Sequence, residues 1–246
     1  MIKKKINLGI IGFGSWGKRV FNVIKKNQNI KILFIETKKN DFSNMYHKVD
    51  WVYIVTPPNN HFEQVKKFLL LKLNVLCEKP LSFKKQELVY LYDLAKKNKK
   101  KLFINHIEFF KINEKKFLYK KNNIIENYFP LNLDYSESFS RLLYHDFYLL
   151  YNCIKNQSFN LRLIDQKDNY ELEFKHKSLV QKIKTSLYKK KKRIHKINNE
   201  NLVTNKDYIN EYFYSIFTSH QSYLINKKQV FFVSKIYDKF MNIKKK

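Results

Sequence analysis

Three of the chain's four glycines form a segment that could bind a nucleotide phosphate, Gly12-Phe13-Gly14-Ser15-Trp16-Gly17. This G-x-G-x-x-G spacing follows an apolar strand pattern at Ile6–Ile11 and opens a helical pattern, the context that a dinucleotide fingerprint requires. Gly12 would allow the tight turn, Gly14 the close approach of a pyrophosphate, and Gly17 the packing of helix on strand. A glycine-rich turn without a ligand is the alternative, and the context favours dinucleotide binding.

An acidic residue follows at a distance that suits an adenosine ribose. A second predicted strand, Ile30–Ile35, ends at Glu36, nineteen residues after Gly17. A carboxylate in this position accepts hydrogen bonds from ribose hydroxyls, so Glu36 favours NAD over NADP. Lys38 and Lys39 follow at once and could meet a 2′-phosphate, which leaves NADP possible. The alternative for Glu36 is an exposed acid at the end of a strand.

Two further polar segments each follow a predicted buried strand. Trp51–Thr56 is a β-branched run that Pro57-Pro58 ends, because proline lacks the N–H that a ladder needs. His61–Leu71 has helical spacing, and the next buried strand, Asn74–Cys77, leads into Glu78-Lys79-Pro80. Open α/β sheets bind ligands at the carboxyl ends of their strands. A lone Glu-Lys-Pro is usually a solvated turn, but its position after the other two segments favours a binding edge.

The next candidates come from one strand and one helix. A predicted strand at Leu102–Ile107 brings Asn105 and His106 to the same edge of the sheet, although both could be ordinary strand-end residues. A predicted helix at Ser140–Ile154 carries Arg141, His145 and Asp146. A histidine on a helix is more often packed than catalytic.

These elements predict an α/β fold with an N-terminal Rossmann-type parallel sheet, residues 1–108, followed by an α+β domain on a largely antiparallel sheet, residues 109–246. Thr37–Val49 is too short for the remainder of a βαβ unit, so one strand of this half of the fold is expected to be lost or vestigial. In the second domain, a strand within Ile124–Leu133, a hairpin over residues 161–174, a strand near Ser178–Tyr188 and two closing helices are expected.

The formal net charge of +28 has two interpretations. One is a polyanion-binding surface; the other is a composition bias with a solvated surface, which the dispersed lysines favour. Only Lys189–Lys196 is a dense basic run. The sequence has no zinc-finger or ribonucleoprotein signature, so no sequence-specific nucleic-acid site is predicted. No metal site is predicted either.

The remaining composition points to a cytoplasmic protein. The sequence contains no run of 18 apolar residues, so no membrane span is predicted. The charged and then apolar N-terminus carries the glycine segment and no small-residue cleavage site, so it is expected to be a strand rather than a signal peptide. Cys77 and Cys153 are expected to be buried thiols in a reducing compartment.

The segments together resemble the Gfo/Idh/MocA oxidoreductases, the glucose–fructose oxidoreductase and inositol dehydrogenase family. The matching pieces are GFGSWG, Glu36, VDWVYIVTPPNNH, NVLCEKPLS, INHIEFF and His145-Asp146. The resemblance covers residues 1–110 well, 140–155 moderately and the rest faintly. It implies an open-faced second sheet often used for homo-oligomerisation. It also implies NAD(P)-dependent oxidation or reduction at a carbon of a sugar, sugar acid, cyclitol or nucleotide sugar.

The resemblance also implies residue roles. Lys79 lies near the nicotinamide and the substrate hydroxyl, and His145 is the usual general acid/base; histidine titrates near neutral pH and lysine stabilises alkoxide charge. The predicted cofactor-binding residues are Gly12, Phe13, Gly14, Ser15, Trp16, Gly17, Glu36, Thr56, Pro57, Pro58, His61, Glu78 and Lys79. The predicted substrate-binding residues are Lys79, Asn105, His106, Arg141 and His145, with Lys79 and His145 as the catalytic pair.

Two departures from the family pattern favour a second hypothesis. Many relatives have an aspartate four residues before the helix histidine, where this chain has Arg141, and the family is usually longer. A cation one helical turn away disfavours imidazolium. The leading hypothesis is a sugar-type dehydrogenase, and the alternative is a catalytically impaired dinucleotide-binding sensor or interaction protein of the same fold. A polyanion-binding protein is a third, weaker interpretation.

Overall fold

A computed structural model describes residues 5–108, 110, 120, 122–130, 135–154, 158–165, 169–188, 194–203, 207–218 and 221–244. The chain forms two compact units. One comprises Met1–Ile107 with Tyr208–Phe231, and the other comprises Glu108–Asp207 with Phe232–Lys246. The sequence pattern predicted one contiguous segment for each domain, whereas residues 208–231 return to the first unit.

The described strands of the first unit form a five-stranded parallel sheet in the order β2-β1-β3-β4-β5. The strands are β1 (Ile6–Ile11), β2 (Ile30–Glu36), β3 (Trp51–Ile54), β4 (Asn74–Cys77) and β5 (Leu102–Ile104). Three helices alternate with them: α1 (Ser15–Ile24), α2 (His61–Leu70) and α3 (Lys85–Lys97). The central strands β3 and β4 are almost wholly buried, as expected for a parallel sheet covered on both faces. The predicted Rossmann-type half is confirmed.

The abbreviated stretch after β2 contains a short 3-10 helix, Ser43–Lys48, and no described strand pairs with the outer edge of β2. Aromatic side chains cover this part of the sheet instead. The Phe42 ring stacks on Phe34 with centroids 5.5 Å apart, and Tyr46 lies 5.7 Å from Phe34 and 5.1 Å from Phe68. The loss of one strand that the sequence predicted is therefore confirmed.

The C-terminal helices account for the difference in domain assignment. They are α5 (Ile209–Thr218) and α6 (Gln221–Lys244), and the part of α6 up to Phe231 belongs to the first unit. Phe213 packs edge-on against Tyr53 at 5.0 Å, and Phe217 lies 5.1 Å from Trp51. The Asn226 side chain extends the edge strand β5, because its amide accepts from Ile104 N at 3.0 Å and donates to Ile104 O at 2.8 Å.

The second unit contains a six-stranded sheet in the order β11-β10-β6-β9-β8-β7, in which only the β6–β9 pair is parallel. The strands are β6 (Asn123–Pro130), β7 (Asn160–Asp165), β8 (Asn169–His176), β9 (Leu179–Tyr188), β10 (Ile194–Ile197) and β11 (Glu200–Asn201). The helix α4 (Tyr135–Ile154) and the last turns of α6 supply its apolar core, where Phe147 meets Phe174 and Phe240. The predicted largely antiparallel sheet is confirmed.

The two faces of this sheet differ in character. Along β8 and β9, Leu172, Phe174 and Ile183 are buried on one face. On the other face Lys182 pairs with Glu171 at 3.2 Å and with Glu173 at 3.5 Å. The alternation of apolar and charged residues along β8 and β9 therefore gives this part of the sheet one core face and one polar face.

Two further features concern membranes and thiols. None of the described helices combines the length and the apolar composition that a membrane crossing needs. Cys77 is a buried thiol in β4 and Cys153 a partly exposed thiol in α4.

Candidate functional site

The carboxyl edge of the parallel sheet aligns the residues that the sequence singled out. Four of the five strands, β1, β3, β4 and β5, are followed by a residue whose backbone N–H continues the ladder by one step. These bonds run from Gly12 N to Glu36 O, Val55 N to Ile11 O, Glu78 N to Ile54 O and Asn105 N to Cys77 O, at 2.8 to 2.9 Å. The edge therefore presents Glu36, Gly12, Val55-Thr56, Glu78 and Asn105 side by side, in the order of the strands.

The three glycines of the fingerprint differ in the space around the missing Cβ and in backbone conformation. Gly12 has a φ of +97°, and a Cβ there would lie 2.9 Å from Thr56 Cγ2. A Cβ on Gly17 would lie 3.1 Å from Val55 Cγ1, so this glycine lets α1 pack on the sheet. Gly14 has no atom within 4 Å of its missing Cβ. The packing of the first unit therefore requires small residues at Gly12 and Gly17 but not at Gly14.

The open space at Gly14 lies at the N-terminus of α1. Gly14 is the N-cap residue of this helix, no side chain caps it, and its first turn contains no acidic residue. The first N–H groups of a helix are unpaired within it and carry a partial positive charge, which suits a phosphate. Ser15 is exposed next to them, and Phe13 packs edge-on against Phe21 at 5.6 Å. These features fit a dinucleotide pyrophosphate.

Glu78 joins the glycine segment to the rest of the edge. Its Oε1 accepts hydrogen bonds from Trp16 Nε1 at 2.7 Å, from the Tyr53 hydroxyl and from Asn105 Nδ2. Burial and the nearby Glu78 charge raise the pKa of Tyr53 well above its ordinary value, so its hydroxyl remains a donor. Glu78 was predicted to bind the cofactor, but its Oε1 is engaged within the protein, where it anchors the residue next to Lys79.

His61 connects the Thr-Pro-Pro segment with the Glu-Lys-Pro segment. Its Nδ1 lies 2.7 Å from the Pro80 carbonyl oxygen and its Nε2 lies 2.8 Å from the Thr56 carbonyl oxygen. The side chain is fully buried. The prediction that His61 contacts a cofactor is corrected on this point, because a buried ring facing two backbone carbonyls positions the loops around Thr56 and Lys79. Pro57 is exposed, and Pro58 and Lys79 are half-buried.

Glu36 lies at the opposite end of the edge from Asn105. Its Oε2 accepts from the Tyr46 hydroxyl at 2.6 Å and from Phe42 N at 3.4 Å. Lys38 and Lys39 are exposed just after it. Tyr46 did not stand out in the sequence, because no motif marks a tyrosine ten residues beyond a strand.

The structure corrects the prediction that His106 contacts substrate. Its side chain is buried in the first unit, stacks on Phe103 at 5.7 Å, and has Nδ1 2.8 Å from the Ile104 carbonyl oxygen. Its backbone N–H donates to the Tyr212 hydroxyl at 2.8 Å. Burial lowers the pKa of His106 to about 4, so the ring is neutral near pH 7. The returning helix α5 covers this residue, and nothing in the local sequence indicated that return. Asn105 is buried as well and donates to Glu78.

A polar network in the second unit surrounds Asp146 on α4. Asn127 Nδ2 lies 3.0 Å from both carboxylate oxygens, and His195 Nε2 lies 3.0 Å from Oδ1. His195 Nδ1 lies 3.9 Å from Glu108 Oε2. All four side chains are buried. His195 did not stand out in the sequence, although its position two residues before Ile197 could have assigned both to the core face of β10.

The remaining candidates are also on α4. His145 precedes Asp146 and is half-buried. Arg141 lies on the same helix, and its side chain is outside the described part of the chain. Lys79 belongs to the first unit and His145 to the second, and their convergence on one site stays a prediction. Among the described residues no group of three or more His, Cys, Asp or Glu side chains could hold a metal ion.

Comparison with known proteins shows that part of the chain resembles one family. Residues 34–106 match the model of the Gfo/Idh/MocA family, described as an oxidoreductase family with an NAD-binding Rossmann fold. A segment of 55 residues is 42% identical to the uncharacterized oxidoreductase YgjR of Escherichia coli (strain K12). That segment spans 22% of this chain and only 17% of the relative. The resemblance that the sequence indicated is confirmed.

Solved structures extend the likeness to the whole fold. UDP-N-acetylglucosamine 3-dehydrogenase GnnA of Acidithiobacillus ferrooxidans superposes with a TM-score of 0.76 at 14% identity, covering 95% of this chain and 96% of that one. The WlbA (WbpB) dehydrogenase of Thermus thermophilus, in complex with NAD and UDP-GlcNAcA, gives 0.70 at 13% identity and covers 94% of each chain. At such identities the likeness shows a common fold of both units.

Proposed function

We propose that this protein is an NAD(P)-dependent oxidoreductase that transfers a hydride between a nicotinamide cofactor and a sugar-like polyol, sugar acid or nucleotide sugar. The first unit binds the cofactor, and the second contributes substrate contacts. The observation that carries the proposal is the carboxyl edge of the parallel sheet, where Glu36, the Gly12 turn and Glu78-Lys79 lie at the ends of β2, β1 and β4.

Three parts of that edge would hold the cofactor. The N–H groups at the start of α1, next to the open space at Gly14, would bind the pyrophosphate. Glu36 would accept from the adenosine ribose, which favours NAD. Exposed Lys38 and Lys39 leave room for NADP as a second choice. When bound, the cofactor accepts or donates the hydride, and the chain itself handles the proton.

Lys79 and His145 are the residues proposed for that proton chemistry. Lys79 would orient the reacting hydroxyl and stabilise alkoxide charge, while His145 would exchange the hydroxyl proton. A nucleotide sugar is the substrate class with the most support, since GnnA is named for UDP-N-acetylglucosamine and the WlbA structure holds UDP-GlcNAcA. The net charge of +28 would also attract a diphosphate-linked sugar electrostatically.

The test is a cofactor-reduction screen across cyclitols, sugar acids and UDP-sugars, preceded by NADH titration. Lys79→Ala and His145→Ala should each lower turnover by about 10²- to 10⁴-fold while dinucleotide binding survives. Lys97→Ala and His47→Ala, which truncate exposed residues of the same types, should leave turnover unchanged. Turnover that survives either active-site change would refute that residue's role.

A second candidate function is a dinucleotide-binding sensor without catalysis. It is favoured by Arg141, which stands where many relatives have an acidic partner for the histidine. A protein that binds NADH but gives no turnover with any substrate, with or without Lys79 and His145, would be this sensor. If it is an enzyme, Arg141→Ala should raise KM for an acidic or phosphorylated substrate.

Homo-oligomerisation through the second sheet is part of the proposal. Its polar face carries Lys182 and Lys184 opposite Glu171 and Glu173. An interface of that kind would be charged and would weaken at high salt. Light scattering at low and at 1 M salt tests this, and a monomer at both salt concentrations contradicts it.

A further inference from the structure

The segment that replaces the missing strand makes a specific contact with Glu36. Phe42 and Tyr46 reach back from the 3-10 segment to the end of β2, and both donate to the same carboxylate oxygen, Oε2. We infer that Tyr46 is a positioning residue for cofactor selectivity, which holds the Glu36 carboxylate in the orientation that favours NAD. This inference rests on the proposed function.

Both ends of Glu36 are fixed. Its backbone carbonyl accepts from Gly12 N at 2.8 Å, so the residue is tied to the turn of the glycine fingerprint. Its side chain is tied at Oε2 by the 2.6 Å contact with Tyr46. The described hydrogen bonds of the carboxylate all end on Oε2, so Oε1 is the oxygen that can accept from a ribose hydroxyl. A carboxylate has two lone pairs on each oxygen, which suits two neighbouring hydroxyls.

Tyr46 is itself held firmly enough to do this. Its ring is buried between Phe34 and Phe68, and Lys67 Nζ donates to its hydroxyl oxygen at 3.0 Å. Because the oxygen accepts from Lys67, the hydroxyl hydrogen is directed to Glu36. Burial, reinforced by Glu36, raises the pKa of Tyr46 well above its ordinary value, so the hydroxyl stays protonated.

This arrangement has a consequence for the choice between NAD and NADP. A carboxylate fixed at the ribose position accepts from a 2′-hydroxyl and repels a 2′-phosphate. Without the Tyr46 hydroxyl the Glu36 side chain would gain rotamers. A 2′-phosphate near the exposed Lys38 and Lys39 would then be repelled less by a fixed negative charge. Ordering one flexible side chain on binding changes affinity by about two- to twelvefold, and this is the expected loss for NAD.

The experiment measures dissociation constants for NAD and NADP by calorimetry, so it does not depend on a substrate. Tyr46→Phe removes one oxygen and keeps the ring contacts. It should weaken NAD by about two- to twelvefold and leave NADP unchanged or tighter. In a Glu36→Ala background the same change should have no further effect on NAD, because Tyr46 acts through Glu36. Tyr90→Phe, at an exposed tyrosine on α3, is the matched control and should change neither constant.

The outcomes separate this inference from the proposed function. If the wild-type protein binds neither dinucleotide, the proposed function fails. If it binds NAD and Tyr46→Phe weakens both dinucleotides equally, or neither, Tyr46 is not a selectivity residue. A loss of NAD affinity that persists in the Glu36→Ala background also overturns the inference. Tyr46→Leu, checked for folding by urea titration, must shift the ratio of the two constants in the same direction as Tyr46→Phe.

Discussion

Trp16 Nε1 lies 2.7 Å from Glu78 Oε1, so the glycine segment and the Glu-Lys-Pro segment are joined directly although 62 positions separate them. The same oxygen accepts from Tyr53 on β3 and from Asn105 after β5. One carboxylate therefore connects the start of α1 with the ends of three strands. Any movement of Glu78 would alter the phosphate-binding turn and the position of Lys79 together.

Replacing Glu78 should therefore destabilise the first unit. Glu78→Ala leaves the donors of Trp16, Tyr53 and Asn105 without their shared acceptor, and the expected loss is about 3 kcal/mol of unfolding free energy. Urea unfolding followed by tryptophan fluorescence measures it, since both tryptophans are in this unit. Glu63→Ala on α2, at a 72% exposed side chain, is the control and should have little effect. Equal midpoints for the two variants would contradict the anchoring role.

Substitutions at two of the fingerprint glycines should affect the stability of the fold and dinucleotide binding differently. Gly14→Val enters open space, so the fold should persist while dinucleotide affinity falls strongly, because the branched side chain occupies the approach of the phosphate. Gly17→Val should instead destabilise the fold, since its Cβ would lie 3.1 Å from Val55. Thermal unfolding and NADH titration of both variants test the pair. A folded Gly14→Val protein with wild-type affinity would remove the proposed binding site.

The sequence predicted much of the first unit because its signals are local. Strand, glycine turn and helix follow one another within residues 6–24, and each later strand ends in a distinct polar segment. The burial of the His61 and His106 side chains could not be predicted from such local signals. The burial of His106 depends on which helix covers it, and the covering residue Tyr212 is more than 100 positions away. The ring of His61 faces the carbonyl of Pro80, which is 19 positions away in the chain. The assignment of residues 208–231 failed for the same reason, because an apolar helix face does not specify its partner sheet.

The buried His106 should make stability sensitive to acid. Its pKa is about 4 when folded against an ordinary value of 6.5, so the unfolded chain binds more protons between these values. The contribution of His106 to the free energy of unfolding is complete above pH 6.5. It is lost as the pH falls towards 4, by about 3 kcal/mol in total. His106→Phe should remove this part of the pH dependence. The Ile104 carbonyl keeps its bond from Asn226 in that variant.

Urea unfolding at pH 7, 5.5 and 4.5 measures that difference. His47→Phe, which makes the same substitution at an exposed histidine of the first unit, is the matched control and should keep the wild-type slope. Parallel stability curves for wild type and His106→Phe would show that His106 does not cause the acid sensitivity.

His195 and Asp146 form a buried hydrogen-bonded pair that the sequence did not reveal. His195 Nε2 lies 3.0 Å from Asp146 Oδ1, and both side chains are buried. His195→Leu would leave Asp146 with Asn127 as its remaining described donor, and a buried acceptor that loses its donor typically costs about 1–3 kcal/mol. The double variant Asp146→Leu/His195→Leu removes both polar side chains and should recover a large part of that loss. Hydrogen exchange of peptides from α4 is the suitable readout, because it reports on the second unit alone. His176→Leu on β8, outside the buried network, should leave that exchange unchanged. If the double variant is destabilised by the sum of the two single changes, the residues stabilise α4 independently and not as a pair.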